Sequence, residues 1–451
     1  MGRLFGTDGI RGVANEKLTV ELATAVGRAA AANVGGAGGT KKTILLGMDT
    51  RISSDMLANA LAAGILSVGY DVINLGVVPT PAVAYLVRKY KARAGIMISA
   101  SHNPYEFNGI KIFGSEGYKL ADELEENIEA MILGEVPMPK AATGGKIGKC
   151  IAKPEAVDEY IDFLRSTVTG DLSGMTVAFD CANGSASRTA EKLLSSMGVR
   201  CQMLSDKPNG TNINDACGST HLENLIAHVK KNKLDIGIAF DGDADRVLCV
   251  DGTGDVVDGD MIMAIVALDM KARGVLKNNT VVGTIMSNFG FIKFCEANDI
   301  RFEATKVGDR YVLEEMLLED YVFGGEQSGH IIFKDYATTG DGQLSALQLL
   351  SLISRAGKPL SELKKVMTKY PQMMVNIRTT DAAKIAFHTD DDIKEIIEEG
   401  KKKLGSTGRL VVRPSGTEPL IRVMAEGEDE AFTEAIAKQV AERIEDKLKQ
   451  Y

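Results

Sequence analysis

Short apolar runs recur through the first 370 residues, each followed by a helical pattern, and that alternation marks strands buried between helices. The Ala-rich stretch 20–34 carries a helical period. The run Thr43-Ile-Leu-Leu-Gly-Met48 then reads as a strand, 54–68 as a helix and 71–76 as a second strand. A helix near 80–90 leads to the strand Ala94-Gly-Ile-Met-Ile-Ser99, after which the chain turns abruptly polar. The plan returns with strands at 175–180 and 234–240 around a helix at 187–197. A third round sets helices at 260–270, 289–297 and 340–355 around strands at 280–285 and 321–325.

From about residue 371 the texture changes. Strands at 375–378, 408–413 and 420–425 mix with two helices, 390–403 and 429–449, which predicts a small α+β unit of helices on a short sheet. The expected fold class is α/β: three similar α/β domains with mixed sheets plus a C-terminal α+β domain. Their limits are set at 1–155, 156–255, 256–370 and 371–451. Length agrees, because 451 residues exceed the roughly 250–300 that one hydrophobic core supports.

Composition narrows the partners. A net charge of -9 argues against general binding to nucleic acid or a membrane surface, although a local basic pocket stays compatible with it. No run approaches the roughly 18 apolar residues of a membrane span. The N-terminal run Met1-Gly-Arg-Leu-Phe-Gly-Thr-Asp8 has no apolar core and does not read as a signal peptide. Cys150, Cys181, Cys201, Cys217, Cys249 and Cys295 show no metal-binding spacing, so reduced thiols in a cytoplasmic protein are expected.

Three segments carry candidate chemistry. In Ser99-Ala-Ser-His-Asn-Pro104 a strand ends on the hydroxyl of Ser101, with His102 beside it and Lys111 ten residues on. Ligands bind at such strand ends in α/β sheets. A serine hydroxyl becomes a nucleophile only beside a base or a strong field, and phosphoserine in turn offers oxygens to a cation. The same run would also serve as a plain turn with a surface histidine, and the segment alone does not decide.

Asp241-Gly-Asp-Ala-Asp-Arg246 follows the strand at 234–240. Extended, period-two chain would put Asp241, Asp243 and Asp245 on one face, with Gly242 letting the backbone curl so that they converge. Carboxylates this close repel unless a cation joins them, and Mg²⁺ takes such oxygens while leaving positions for a phosphate. A calcium loop of the helix–loop–helix type requires Gly at its sixth position and a carboxylate at its twelfth, where this chain has Arg246 and Gly252. Solvated turn carboxylates are the plain alternative.

Arg413-Pro-Ser-Gly-Thr-Glu-Pro419 offers a planar guanidinium, the hydroxyls of Ser415 and Thr417, and Gly416 for close backbone approach, with Arg422 on the next strand. It reads as a phosphate clamp, or more plainly as a strand-to-strand turn. In Gly325-Glu-Gln-Ser-Gly-His330, Glu326 and Ser328 are period-two neighbours suited to vicinal sugar hydroxyls, with His330 in reach and Lys306 adding charge. The glycine-rich stretch 35–43 lacks nucleotide-loop spacing and precedes its strand, so it reads as a helix-to-strand loop. Nucleophile, cation site and clamp lie in separate regions, which predicts domains arranged around a central cleft.

These motifs, with Gly6-Thr-Asp-Gly-Ile-Arg-Gly12, occur in an order that resembles the α-D-phosphohexomutases over essentially the whole length. The resemblance implies four domains around a cleft, a phosphorylated Ser101 and Mg²⁺ on Ser101, Asp241, Asp243 and Asp245. It also implies catalytic roles for His102, Lys111, Arg246, Arg11 and His330. Substrate contacts are implied at Lys306, Glu326, Ser328, Arg413, Ser415, Gly416, Thr417 and Arg422. Gln327 and the opening residues resemble the family's glucosamine branch. The expected reaction therefore interconverts glucosamine 6-phosphate and glucosamine 1-phosphate through a 1,6-bisphosphate, and the resemblance implies that the first phosphoserine is installed by other phosphorylation or by a sugar bisphosphate. A mannose- or glucose-phosphate mutase and a non-catalytic sugar-phosphate binder are the rivals. The expected partner is a hexosamine phosphate; a homodimer is compatible, and the sequence itself is silent on assembly.

Overall fold

Four sheets follow one another along the chain, and each collects the apolar runs of one sequence region. In this computed structural model residues 3–6, 8–34, 42–195, 197–415 and 419–449 are described. Most of the glycine-rich loop, and Gly416 and Thr417 of the clamp, lie outside them. The first sheet contains β1 (Ile10–Val13), β2 (Thr43–Met48), β3 (Asp71–Val77), β4 (Ala94–Ile98), β5 (Phe107–Gly114) and β6 (Cys150–Ala152) in the order β1-β5-β4-β2-β3-β6. β2, β3, β4 and β6 pair in parallel, whereas β5 runs antiparallel to both neighbours. Helices Val20–Asn33 and Ser54–Ser67 bury their small and aliphatic residues in the core of this sheet.

The second sheet orders β7 (Thr176–Asp180), β8 (Arg200–Leu204), β9 (Ile236–Phe240), β10 (Val247–Asp251) and β11 (Val256–Val257) as β11-β10-β9-β7-β8. The third orders β12 (Thr280–Thr284), β13 (Arg301–Thr305), β14 (Phe323–Gly325) and β15 (Ile331–Phe333) as β13-β12-β14-β15. β16 (Gln372–Arg378), β17 (Gly408–Pro414) and β18 (Leu420–Gly427) form an antiparallel sheet with β18 central. The architecture is three α/β domains with mixed sheets and a C-terminal α+β domain.

Chain contacts divide the molecule into two units, Met1–Thr284 with Glu303–Lys365, and Ile285–Phe302 with Val366–Tyr451. In the second unit, helices Asp391–Leu404 and Glu430–Leu448 cover the sheet through Ile393, Ile396, Ile436, Val440 and Ile444. No helix among the described residues is long and apolar enough to cross a membrane.

Several sequence expectations shift. The polar segment after β4 is not loop throughout, because Phe107–Gly114 returns as β5 and is buried on both faces. The helix expected at 187–197 is the shorter Ala190–Ser195 behind a single 3₁₀ turn, Ser185–Arg188. A third helix, Asp381–Thr389, joins the two expected in the last domain. Its start is capped by the side chain of Thr380, a local signal weaker than the long apolar stripes beside it.

Candidate active site

The end of β4 brings Ser101 into a left-handed backbone conformation, φ 54°, which non-glycine residues adopt only uncommonly. Its Oγ donates a 2.5 Å hydrogen bond to Asp241 Oδ2. The first two sheets therefore supply the two halves of one buried site. Ser101, Asp241, Asp243 and Asp245 are all nearly or fully shielded from water.

The aspartates do not sit on extended chain. After β9 the backbone makes a tight turn in which Ala244, at φ 57°, takes the left-handed conformation. Gly242 serves close approach instead: a Cβ there would fall 2.6 Å from the carbonyl oxygen of Ser101. The turn gathers one oxygen from each of Asp241, Asp243 and Asp245 within 4.8 Å of one another. Burial and the charges of Asp245 and Asp243 push the Asp241 carboxyl well above its ordinary pKa. Asp245 moves the other way despite burial, held well below the carboxylate range by Lys111 and His330. Asp243 Oδ1 and Asp245 Oδ1 are buried without a hydrogen-bond partner among the described residues. Hard oxygens that repel one another and keep unfilled lone pairs are the donor set a divalent cation takes.

Lys111 comes from β5 and points into the same space. Its Nζ lies 2.9 Å from Asp243, 3.4 Å from Asp245 and 3.1 Å from Asp8. Burial disfavours its charge, yet Asp243, Asp8 and Asp245 raise its pKa well above the ordinary lysine value. Arg246 donates from Nη1 to His102 Nδ1 at 3.1 Å. That bond uses the ring's lone pair, so His102 is neutral, in keeping with a pKa lowered to about 4 by burial, Arg246 and Arg11. His102 Nδ1 is also 3.5 Å from Ser101 Oγ. Arg11, on β1, forms an ion pair with Asp8.

The loop between β14 and β15 is a hairpin turn, with Gly329 N–H donating to the Glu326 carbonyl, so Glu326 and Ser328 are turn positions and not period-two strand neighbours. Ser328 is exposed, and Glu326 accepts from Gly308 N–H at 3.2 Å. Burial and Asp309 push the Glu326 carboxyl up. Lys306 is exposed, with its ammonium over the Tyr311 ring at 5.7 Å. His330 is buried, its Nδ1 3.7 Å from Asp245 and its Nε2 3.5 Å from Asp309. Nε2 accepts Gly340 N–H at 3.0 Å, and a Cβ on Gly340 would stand 2.4 Å from the ring. His330 therefore sits beside Asp245 as an electrostatic neighbour beyond hydrogen-bond distance. Burial opposes its charge, but the two aspartates raise its pKa.

In the second unit, Arg413 and Arg422 face each other across β17 and β18. Burial and the like charge of Arg422 opposite it lower the pKa of Arg413. Ser415 is buried, and its carbonyl accepts from Lys384 at 2.9 Å.

Sequence reasoning missed Asp8, Lys119, Asp309 and Thr80. Lys119 bridges Asp8 and Asp309 at 2.6 Å each. Thr80 donates to Asp243 Oδ2 at 2.5 Å. Asp8 lies inside the Gly6–Gly12 motif and was findable there. Asp309 lies in the charged segment 305–310 beside Lys306, while Lys119 and Thr80 gave no local signal.

Family profiles cover nearly all of the chain. They are those of phosphoglucomutase/phosphomannomutase alpha/beta/alpha domain I over residues 2–136, domain II over 158–254, domain III over 258–370 and the C-terminal domain over 374–443. The chain is 51% identical over 450 residues to phosphoglucosamine mutase of Clostridium botulinum (strain Loch Maree / Type A3), covering 100% of both. A phosphoglucomutase/phosphomannomutase family protein from Burkholderia thailandensis shares the fold at TM-score 0.84 and 22% identity, over 99% of this chain and 97% of that one. Aspergillus fumigatus N-acetylphosphoglucosamine mutase, in complex with GlcNAc-6P and magnesium, does so at TM-score 0.66 and 17% identity, over 99% and 96%.

Proposed function

The chain belongs to the phosphoglucomutase/phosphomannomutase family, and from that premise we propose that it interconverts glucosamine 6-phosphate and glucosamine 1-phosphate through a phosphorylated Ser101. The observation that carries the reading is the Ser101 hydroxyl, hydrogen-bonded to Asp241 inside the aspartate cluster and flanked by Lys111 and Arg246.

Ser101 works twice. Its phosphoryl group passes to O1 of glucosamine 6-phosphate: the P–Oγ bond breaks, the P–O1 bond forms, and the O1 proton leaves to a base. The sugar 1,6-bisphosphate then turns over, and Ser101 Oγ takes the phosphoryl group from O6, which regains a proton. The serine is first phosphorylated by a separate phosphorylation or by a sugar 1,6-bisphosphate. Lys111, Arg246 and Arg11 set positive charge beside the group in transit. Asp241, Asp243 and Asp245, with Ser101, fit Mg²⁺, which when bound offsets charge building on the phosphoryl oxygens. His102 and His330 border this space. Glu326 and Ser328 receive the sugar hydroxyls, with Lys306 nearby. Arg413, Ser415, Gly416, Thr417 and Arg422 hold the phosphate that is not reacting.

The domain limits 1–155, 156–255, 256–370 and 371–451 belong to this reading. So does a cytoplasmic location, consistent with free cysteines. A homodimer is tested by sedimentation.

The deciding assay measures conversion of glucosamine 6-phosphate with Mg²⁺ and catalytic glucose 1,6-bisphosphate. Ser101→Ala should abolish turnover and the added phosphoryl mass; undiminished product formation would remove Ser101 from the reaction. Equal or faster rates on glucose or mannose 6-phosphate would overturn the substrate assignment.

A further inference from the structure

Behind Ser101 lies a buried polar clamp that none of the roles above uses. Asp49 and Arg51 follow β2, and both side chains are fully shielded from solvent. Arg51 Nε donates to Asp49 Oδ2 at 2.9 Å, and Asp49 also accepts from its own loop, through Arg51 N–H at 3.0 Å and Ser54 Oγ at 2.9 Å. So anchored, the guanidinium spreads over the backbone of the nucleophile segment. Nη2 donates to the carbonyls of Ser101 and Asn103 at 2.9 Å each, and Nη1 to that of Pro104 at 2.6 Å. The same Asp49 takes the Ser99 hydroxyl at 2.6 Å, and Ser99 Oγ accepts the Ser101 N–H at 2.9 Å. Both faces of the Ser101 backbone thus lead back to one ion pair.

A second grip comes from another part of the chain. Asn214 Nδ2 donates to the carbonyls of Ser101 at 2.9 Å and Asn103 at 3.1 Å. Gly242, in the aspartate turn, closes on the Ser101 carbonyl so tightly that any side chain would collide with it.

Serine does not choose a left-handed backbone unaided, so this conformation exists because its surroundings impose it. Holding the carbonyl through Arg51 and the N–H through Ser99 fixes the peptide planes on both sides of the Ser101 Cα and so the direction of its Cα–Cβ bond, from which Oγ reaches Asp241. In-line phosphoryl transfer depends on that direction. We infer that Arg51 is the positioning residue that aims Ser101 for phosphoryl transfer, with Asn214 as its weaker counterpart; the inference rests on Ser101 as the phosphoryl carrier. The guanidinium fork suits the task because its two terminal nitrogens reach three carbonyls at once. A lysine ammonium keeps the charge but loses that planar geometry.

The test compares wild type, Arg51→Lys and Asn214→Ala as full-length proteins with Mg²⁺, glucosamine 6-phosphate and glucose 1,6-bisphosphate. Arg51→Lys should lower kcat by about 100-fold, the scale of an ångström's misplacement, while KM for the sugar phosphate stays within about threefold. Asn214→Ala should lower kcat by about 10-fold, again without a matching change in KM. In each variant Ser101 should gain phosphoryl mass from glucose 1,6-bisphosphate more slowly, by a similar factor, at an unchanged circular-dichroism spectrum. A folded Arg51→Lys with kcat within about twofold of wild type, or a change confined to KM, overturns the inference. Should Arg51→Lys not fold, Asn214→Ala decides, and an unchanged kcat there overturns it. If wild type fails to convert glucosamine phosphates, the functional reading falls, yet the rate of Ser101 mass gain still separates the variants: slower gain supports the aiming role and equal rates end it.

Discussion

Asp341→Asn should make the protein more stable at neutral pH and leave it unchanged in acid. Asp341 caps the helix Gly342–Ala356, accepting Leu344 N–H at 2.9 Å, and takes the Tyr160 hydroxyl at 2.8 Å. Burial pushes its carboxyl up to about 6 from an ordinary 3.8, outweighing the hydrogen bonds from Leu344, Tyr160 and Gln343. The folded state therefore binds this proton more tightly than the unfolded chain. The resulting stability is complete below about pH 4 and is lost as pH rises to about 6. Two pKa units correspond to about 3 kcal/mol at about 1.4 kcal/mol per unit. Asparagine keeps an acceptor for the cap and carries no charge to desolvate; the forfeited attraction to the helix dipole is about 0.3–1 kcal/mol. The net gain expected above about pH 7 is roughly 2 kcal/mol. Urea unfolding of both proteins between about pH 4 and pH 8, followed by far-ultraviolet circular dichroism, reads the gap directly. A gap that does not vary with pH, or a variant less stable than wild type at about pH 8, refutes the reasoning.

Other sites yield sharper contrasts. Millimolar Mg²⁺ should raise the thermal midpoint of wild type, and Asp243→Asn should lose most of that increment, since an ion at about 100 times its Kd adds about 2.7 kcal/mol to the folded state; equal increments in both proteins would dismiss the aspartate cluster as the site. Gly242→Ala drives a Cβ to 2.6 Å from the Ser101 carbonyl and should cut kcat by about 100-fold, whereas full activity would show that the turn yields freely. Arg409→Met strips the fully buried Glu426 of its ion-pair partner and should cost about 3–5 kcal/mol in urea unfolding. Adding Glu426→Gln should recover much of that loss, and a double variant as unstable as the single one would contradict the pairing argument.

The strands with long apolar runs, β2, β4, β7, β9 and β12, were legible because burial on both faces leaves an uninterrupted hydrophobic signature. β5 was not, since Asn108 and Lys111 interrupt it and their burial is explained only by partners elsewhere in the chain. β6, exposed at all three positions, has no hydrophobic signature to find. Among site residues, motif spacing led to Ser101 and the aspartates, which the structure brings into contact. It could not lead to Arg51, 50 residues from the carbonyl it grips, or to Lys119, 190 residues from Asp309. Each looks on paper like an ordinary solvated cation. The aspartate turn also shows where local geometry misleads: three alternating carboxylates suggested extended chain, but Ala244 in the left-handed region converges them by a different route.

The pairing of Lys111 with Asp8 bears on how the protein is made. Both residues belong to the first sheet's own segment, the amine 3.1 Å from the carboxylate, whereas Asp243 and Asp245 are translated more than a hundred residues later. An amine sealed in a nascent domain without a counterion would oppose its own folding. Asp8 is the one of these carboxylates that shares the first sheet's own segment with Lys111, so the amine has a counterion within that segment that does not depend on the aspartate turn.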